Sequence, residues 1–326
     1  MKPLEDTKGP WSLNAPLTFN DFVGNAHVVE KLKLLTERAA NDSFARIPDM
    51  AFLGPPGHGK NFCAKILADK LKRGFVEINS TTVRDPFVFR QFIVNGEYIS
   101  SGVIIHLDEC HQLPRRIQDN LLSALEHPRQ LHTAHKDQLF KDSLPENLSF
   151  IFSTTHAGNL RKPLLSRLET IEFLEYTEDN LMEMAAKYLH RQYGLALDAI
   201  EPKALAELAK RSRSGRQTIR FCDNLMRLKE LNGWDKITHD AAVQCFKIIG
   251  VDATGLTRVD RKMLAYMAKA GSHVGLETLE AVLDISKKEI LSNIEPFLLR
   301  KGLMVRHTSG RLITPLGKAL MEAAND

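Results

Sequence analysis

Cysteine is scarce in this chain, with four in 326 residues. Cys63, Cys110, Cys222 and Cys245 stand far apart and form no C-x-x-C pair. That excludes a disulfide framework and a structural zinc site as readings, and it fits a reducing compartment. Long apolar runs are missing too: none approaches the about 18 residues a bilayer-spanning helix needs. The first residues, Met1 to Asp6, contain no hydrophobic signal core. Together these absences lead us to expect a cytoplasmic protein with no membrane segment. Charge of one sign is not in large excess. A formal net charge of +4 permits nucleic-acid binding without arguing for it, so the clustering of basic residues matters more than their sum. There is no internal repeat and no low-complexity tract. The remaining composition, 43% hydrophobic and 26% charged, is that of a globular protein with enough chain for two or three domains.

What is present starts with one stretch, Gly54, Pro55, Pro56, Gly57, His58, Gly59, Lys60 and Asn61. It follows the phosphate-loop pattern G-x-x-x-x-G-K-[ST] except at its last position. In that pattern the glycines let backbone N–H groups close around phosphate oxygens. The lysine reaches the terminal phosphates, and the following hydroxyl holds Mg²⁺. The flanks are those of a working loop. Met50 to Leu53 is a short apolar run of strand type, and Cys63, Ile66, Leu67 and Leu71 recur at helical spacing. The helix N-terminus then points its dipole at the phosphates. A Gly-Pro turn before an amphipathic helix is the bland alternative, and it does not explain the flanking strand.

Residues 1–16 carry three prolines and little periodicity, as an extended leader would. Over residues 17–176, apolar strands at Phe75–Ile78, Gly102–Leu107, Leu148–Phe152 and Thr170–Phe173 alternate with helical patterns. That alternation predicts an α/β domain with a parallel sheet. Residues 177–250 show only helical patterns, with helix starts at Thr177 and Thr238. After a linker at Asp252–Leu256, residues 256–326 read as three helices and a two-stranded ribbon. The third helix opens at Ser286, and the ribbon turns at Thr308–Arg311. That order describes a winged helix, whose third helix can enter a major groove while the ribbon touches the backbone. Lys287, Lys288, Arg306 and Arg311 sit on those elements as candidate DNA contacts. A solvated basic face on a protein-binding winged helix is the competing reading.

Further candidates for chemistry follow the loop. Asp108 and Glu109 end an apolar strand 48 residues after Lys60. An ATPase needs such a pair, the first carboxylate organising Mg²⁺ and the second polarising the attacking water. Thr155 ends the next strand, within reach of a γ-phosphate. Arg167 precedes the last strand, where an arginine can serve a neighbouring subunit as a finger. Arg220 lies in the helical region, and pattern alone would not select it.

The order of these pieces resembles the AAA+ ATPases, and within them the RuvB family of Holliday-junction branch-migration motors. The likeness covers nearly all of residues 15–320. Leu17–Gly24 is similar to that family's opening motif, Phe52–Lys60 to its phosphate loop and Leu107–His111 to its Asp-Glu-x-His box. Thr154–Gly158 resembles its sensor segment. Val274–Leu279, Glu295–Leu298 and Gly310–Pro315 resemble its winged helix. The resemblance implies an ATP- and Mg²⁺-dependent DNA motor working as a homo-oligomeric ring, normally a hexamer. In it Gly54, Pro55, Gly57, His58, Gly59, Lys60 and Asn61 would cradle the nucleotide. Asp108 would serve the metal with Asn61, and Glu109 would be the catalytic base. Thr155 becomes sensor 1, Arg167 the finger and Arg220 sensor 2. Residues 131–139 occupy the place of the hairpin that engages the partner RuvA, and they are more polar here.

Three departures mark a divergent relative, of the kind a phage or mobile element carries. Asn61 replaces the metal-binding hydroxyl, Ala15 stands where the family has Arg, and Gly215–Arg220 is longer than the family's Gly-Thr-Pro-Arg. Asn61 keeps a second reading open: a nucleotide-gated DNA-binding scaffold, loader or initiator with little or no ATP turnover.

Overall fold

The computed structural model describes residues 18–42, 45–94, 102–136 and 138–323. The leader over residues 1–16 and Ala15 within it lie outside the described residues. Among the described residues the chain forms two compact units. One runs to Lys187 and includes Ser214–Arg216; the other comprises Tyr188–Arg213 and the chain from Gln217 onward.

The first unit is built on a five-stranded sheet. In chain order its strands are β1 (Met50–Leu53), β2 (Gly74–Asn79), β3 (Val103–Asp108), β6 (Leu148–Thr154) and β7 (Glu169–Glu172). Their spatial order is β2-β3-β6-β1-β7 and every pairing is parallel. Strand residues alternate between two cores. Met50, Phe52, Ile104, Ile151 and Ile171 face one side, with Cys63, Ile66 and Leu67 of the helix Lys60–Leu71. Ala51, Val103, Ile105, Phe150 and Phe152 face the other, with Ile117 and Leu121 of the helix Arg115–Leu125. A sheet covered on both faces demands apolar residues at every position, which is why these strands read as continuous runs rather than alternating ones. Between β3 and β6 the chain makes an antiparallel hairpin, β4 (Gln130–His135) and β5 (Gln138–Ser143). A helix at Pro86–Val94, not foreseen in the sequence, lies before β3; its Arg90 makes a bidentate pair with Asp142 of β5.

The second unit contains the helix Pro202–Arg211, from Gln217 onward the helix Gly215–Asn232, and the helix His239–Ile249. Thr238 caps the last of these by accepting from Ala241 N. Asp252 then turns the chain by accepting from Thr254 N and Leu256 N. Thr257 and Asp260 form a capping box that opens the helix Arg258–Ala270. The helix Leu276–Leu283 follows, then a continuous helical stretch from Lys287 to Arg300 whose middle, Ile290–Ile294, is a π turn. Pro296 accounts for the π turn: it has no N–H to give and its ring crowds the preceding carbonyls, so the ladder widens there. The wing is β8 (Met304–His307) paired with β9 (Gly310–Ile313), and Val274 bridges to Arg311 on its other side. Gly310 sits at φ 138, and a Cβ there would lie 2.7 Å from the Val274 carbonyl oxygen, so only glycine fits.

One buried charge joins the helices to the winged helix. Asp260 is fully buried and accepts from Thr257 N and Thr257 Oγ1 at 2.6 Å each. Arg213 completes the carboxylate with a paired contact, donates to the Gly255 carbonyl at 3.1 Å and lies over the Phe297 ring. Replacing Arg213 by Ala strands a buried carboxylate, so the Arg213→Ala protein should lose about 3–5 kcal/mol in urea unfolding. A loss below about 1 kcal/mol would show that water reaches Asp260.

Candidate nucleotide and DNA sites

Parallel pairing brings the carboxyl ends of β1, β3 and β6 together, and the phosphate loop leaves from β1. Gly54 N donates to Thr154 O. Gly54 and Gly59 are both at positive φ, and a Cβ on either would collide, with Phe173 O at 2.3 Å and with the Tyr176 hydroxyl at 2.6 Å. Pro55 follows Gly54 in the turn. Gly57 O accepts from Gly215 N. His58 is buried, packs face to face on Tyr176 and holds Nδ1 2.9 Å from Pro56 O. The loop thus closes on itself, with Lys60 at the first position of the helix behind it.

Lys60 is 6% exposed and its Nζ donates to Gly54 O and Pro55 O, both at 2.8 Å. Burial lowers its pKa to about 8, against the opposing pull of Glu109 and Asp108; Arg216 lowers it further. The Asn61 side chain presents nitrogen, not oxygen, to the acids. Its Nδ2 donates to Asp108 Oδ2 at 2.9 Å and to Glu77 Oε1 at 2.8 Å. Glu109 sits in the left-handed region at φ 50, and its N–H donates to Asp108 Oδ1. Its carboxylate oxygen Oε2 lies 3.4 Å from Thr155 Oγ1 and 3.3 Å from His111 Nδ1.

Lys60, Asn61, Asp108, Glu109 and Thr155 therefore converge. Arg167 does not join them within the chain: it binds Glu126 through Nε and Nη2 and donates to Pro163 O. Arg220 is an exposed residue of the helix Gly215–Asn232 in the second unit. Sequence reasoning missed Glu77 and Arg216, and it placed His111 in the Asp-Glu-x-His box without giving it a role. Glu77 falls inside the strand candidate Phe75–Ile78 and belongs to no motif. Arg216 is drawn to the loop by the Gly215–Gly57 hydrogen bond, which no local pattern announces.

The winged helix corrects one expectation. Arg311, read as a DNA contact, is buried, and its Nε and Nη2 both donate to Glu295 Oε2 at 3.1 and 2.9 Å. Glu295 is itself buried, so Arg311 neutralises an internal carboxylate and does not face solvent. Lys287 pairs with Glu277 and Glu280, which raises its pKa. Lys288 is exposed, and the side chain of Arg306 is 60% exposed although it touches Glu295.

The donors around Asn61 suit Mg²⁺, a hard ion that takes one or two carboxylates together with phosphate oxygens and water. Asp108 and Glu77 supply such oxygens, while Asn61 in its present orientation does not.

The Lys60 environment makes nucleotide binding pH-dependent. Phosphate binds the ammonium form, so the bound state holds the proton that the free site loses above about pH 8. Affinity for ATP in EDTA should be level near pH 7.5 and fall toward tenfold per unit above about 8. Calorimetry in two buffers at pH 8.5 should register proton uptake, and a flat profile to pH 9.5 would contradict this account of Lys60.

Comparison with known proteins gives a consistent result. The family model described as the Holliday junction DNA helicase RuvB P-loop domain matches residues 15–174. That described as the RuvB C-terminal winged helix domain matches residues 253–322. The Holliday junction branch migration complex subunit RuvB of Myxococcus xanthus is 31% identical over 316 residues, 95% of this chain and 90% of that protein. The Flavobacterium johnsoniae protein of the same description is 30% identical, covering 92% and 87%. Among solved structures, the Thermotoga maritima RuvB Holliday junction branch migration motor superposes with a TM-score of 0.80 at 26% identity, over 94% of this chain and 97% of that one. With its parallel phosphate-loop core, its winged helix and these relatives, the chain belongs to the RuvB family of AAA+ proteins.

Proposed function

We propose that this protein is an ATP-dependent DNA motor that hydrolyses ATP between neighbouring copies in a ring and drives branch migration of DNA. The observation that carries the reading is the convergence of Lys60, Asp108, Glu109 and Thr155 at the ends of adjacent strands. Lys60 and the loop N–H groups take the β- and γ-phosphates in place of the carbonyls of Gly54 and Pro55. Mg²⁺, when bound beside Asp108, neutralises phosphate charge and fixes its geometry. Glu109 accepts the proton of the attacking water, with Thr155 and His111 holding its carboxylate in place. Arg216 and Arg220 are the candidates for sensing the phosphates from the helix that begins at Gly215.

Arg167 is bound to Glu126 in the single chain, so it acts on a neighbour's nucleotide only after that contact is exchanged for phosphate. Such a head-to-tail contact closes into a ring, for which six copies is our expectation. We assign DNA contacts to Lys288 and Arg306, with Lys287 contributing where Glu277 and Glu280 release it. The β4–β5 hairpin, with exposed Leu139, is the surface we assign to a RuvA-like partner. No helix among the described residues is long and apolar enough to cross a membrane, and we place the protein in the cytoplasm. Our domain division is residues 17–176 for the core, 177–250 for the lid and 256–326 for the winged helix. The second reading, a nucleotide-gated scaffold, loader or initiator, has one observation in its favour: the Asn61 amide nitrogen faces the acids where the family has a hydroxyl.

Steady-state ATP hydrolysis with Mg²⁺, with and without a four-way DNA junction, decides between them. The motor reading expects turnover that Lys60→Ala abolishes and Glu109→Gln lowers about 10²–10⁴-fold. Absence of turnover in the unaltered protein, with recovery in Asn61→Thr, would establish the scaffold instead. Mixing Arg167→Ala with Glu109→Gln should restore part of the activity neither has alone, because one interface then holds both intact groups; no recovery would count against the shared site. For DNA, Arg306→Ala should lower the slope of log affinity against log salt by about one. Arg311→Ala should instead lower the unfolding midpoint.

A further inference from the structure

We propose that Glu77 is a second carboxylate of the cation site, taking over the protein contact that the hydroxyl after the loop lysine supplies in the usual pattern. The proposal rests on the nucleotide-site reading above and concerns how this chain holds the divalent ion despite Asn61.

The geometry begins with β2 and β3. Glu77 pairs in register with His106, and Asn79 with Asp108. Alternate residues of a strand share a face, so Glu77 and Asp108 lie on the same side of the sheet, offset by one pleat. A single nitrogen, Asn61 Nδ2, donates to an oxygen of each at 2.8 and 2.9 Å. Two carboxylates are thus drawn to one point beside the phosphate loop. Their like charges oppose that approach; Lys65 Nζ meets only the other Glu77 oxygen, Oε2, at 3.6 Å, and the amide N–H₂ between the two carboxylates is only a partial positive charge. A divalent cation in the same position would satisfy both oxygens fully.

An independent observation comes from behind Glu77. His106 is fully buried, and its Nε2 lies 2.7 Å from Ser153 Oγ. Its other ring nitrogen, Nδ1, is buried without a hydrogen-bond partner and faces Glu77 Oε1 at 3.8 Å. A buried ring nitrogen is costly to leave unpaired. A small rotation of the Glu77 side chain toward that nitrogen gives it a partner and fixes the carboxylate, in the way an imidazole backs a metal-binding carboxylate. Ser153, His106 and Glu77 then form a chain running from the sheet interior to the cation.

Asn61 gains a role in this arrangement. Turning its amide over exchanges Nδ2 for Oδ1. With Nδ2 turned in, the amide donates to both carboxylates; with Oδ1 turned in, it offers the cation an acceptor, a reversal that a Ser or Thr hydroxyl does not need. Asn61 and Glu77 therefore act as a pair: the amide caps the second carboxylate, and the second carboxylate replaces the missing hydroxyl.

The probe is Mn²⁺, with its binding to the protein carrying a non-hydrolysable ATP analogue followed by electron paramagnetic resonance. Glu77→Gln keeps the shape of the side chain and an acceptor for Asn61. It should raise the half-saturating Mn²⁺ concentration about tenfold or more, while affinity for the analogue in EDTA stays within twofold and the unfolding midpoint is held. In the Asn61→Thr background the same substitution should have less than a threefold effect, because the hydroxyl again carries the contact. An unchanged Mn²⁺ curve in Glu77→Gln, with the analogue still bound, overturns the role of Glu77 alone. Failure of the unaltered protein to bind the analogue in EDTA or with Mn²⁺ overturns the nucleotide-site reading, and this proposal with it.

Discussion

The register of the parallel sheet is the constraint on which the rest of the structure depends. Leu53 stands level with Thr154, and Asn79 with Asp108, so the phosphate loop, the acidic pair and the segment from Thr155 all leave the sheet at its carboxyl end. A slip of one residue would send every strand side chain to the opposite core. One buried carboxylate secures the alignment at the other end. Asp49, just before β1, accepts from Phe150 N of β6 at 2.8 Å and from Arg129 Nη2 at 3.1 Å. Arg129 in turn donates to Ala124 O and Leu148 O and lies near the Phe150 ring. Arg46 supplies a second, more exposed partner to Asp49. A buried charge fully surrounded by donors adds little net stability, but it penalises any register that leaves it unpaired. Its value here is alignment of strands whose other end carries the chemistry.

That end stores backbone strain where the chemistry needs direction. Gly54 and Gly59 take positive φ in the loop, and their neighbours leave no room for a Cβ, so glycine is required on both counts. Glu109 adopts φ 50 with a side chain, at a cost on the order of 1–3 kcal/mol. The turn takes the chain straight from strand into the short helix Cys110–Gln112. It leaves the carboxylate of Glu109 beside Thr155 and His111, while Asp108 keeps facing Asn61. Two consecutive acids thus point to different tasks, and the left-handed residue between strand and helix separates them.

Much of this was legible in the sequence, for identifiable reasons. The phosphate loop is a contiguous motif, and the Asp108–Glu109 pair sits at the end of an uninterrupted apolar strand, so each announces itself locally. The winged helix was legible from its capping residues and its turn. What was not legible depends on pairing between distant segments. Arg311 looked like a wing arginine, because nothing nearby in sequence reveals that Glu295 is buried beneath it. Glu77 lies within the strand candidate Phe75–Ile78, and only the register with β3 brings it to Asn61. Arg216 is close to Lys60 only because Gly215 N reaches Gly57 O across the fold. Pro296 was visible, yet the π turn it imposes was not, since a widened turn leaves the apolar spacing nearly unchanged.

Several charged groups at the site hold partners of lower charge than a phosphate or a divalent ion. Lys60 rests on two carbonyls, Asp108 and Glu77 on an amide, and Glu109 on a hydroxyl and an imidazole. These neutral contacts prevent the collapse that bare opposite charges would produce, because Lys60 is kept from closing onto Glu109 or Asp108. They are also easily exchanged. A phosphate offers Lys60 a full charge in a site largely shielded from water, where charge-assisted hydrogen bonds are about twice as strong as neutral ones. Lys60, Asp108 and Glu109 thus hold neutral partners that a phosphate or a cation can replace. Among the described residues two contacts depart from this pattern: Lys65 Nζ lies 3.6 Å from Glu77 Oε2, and Arg167 is bound to the carboxylate of Glu126. Arg167 has to exchange a full carboxylate before it can bind anything else, whereas Lys60 gives up only two carbonyls.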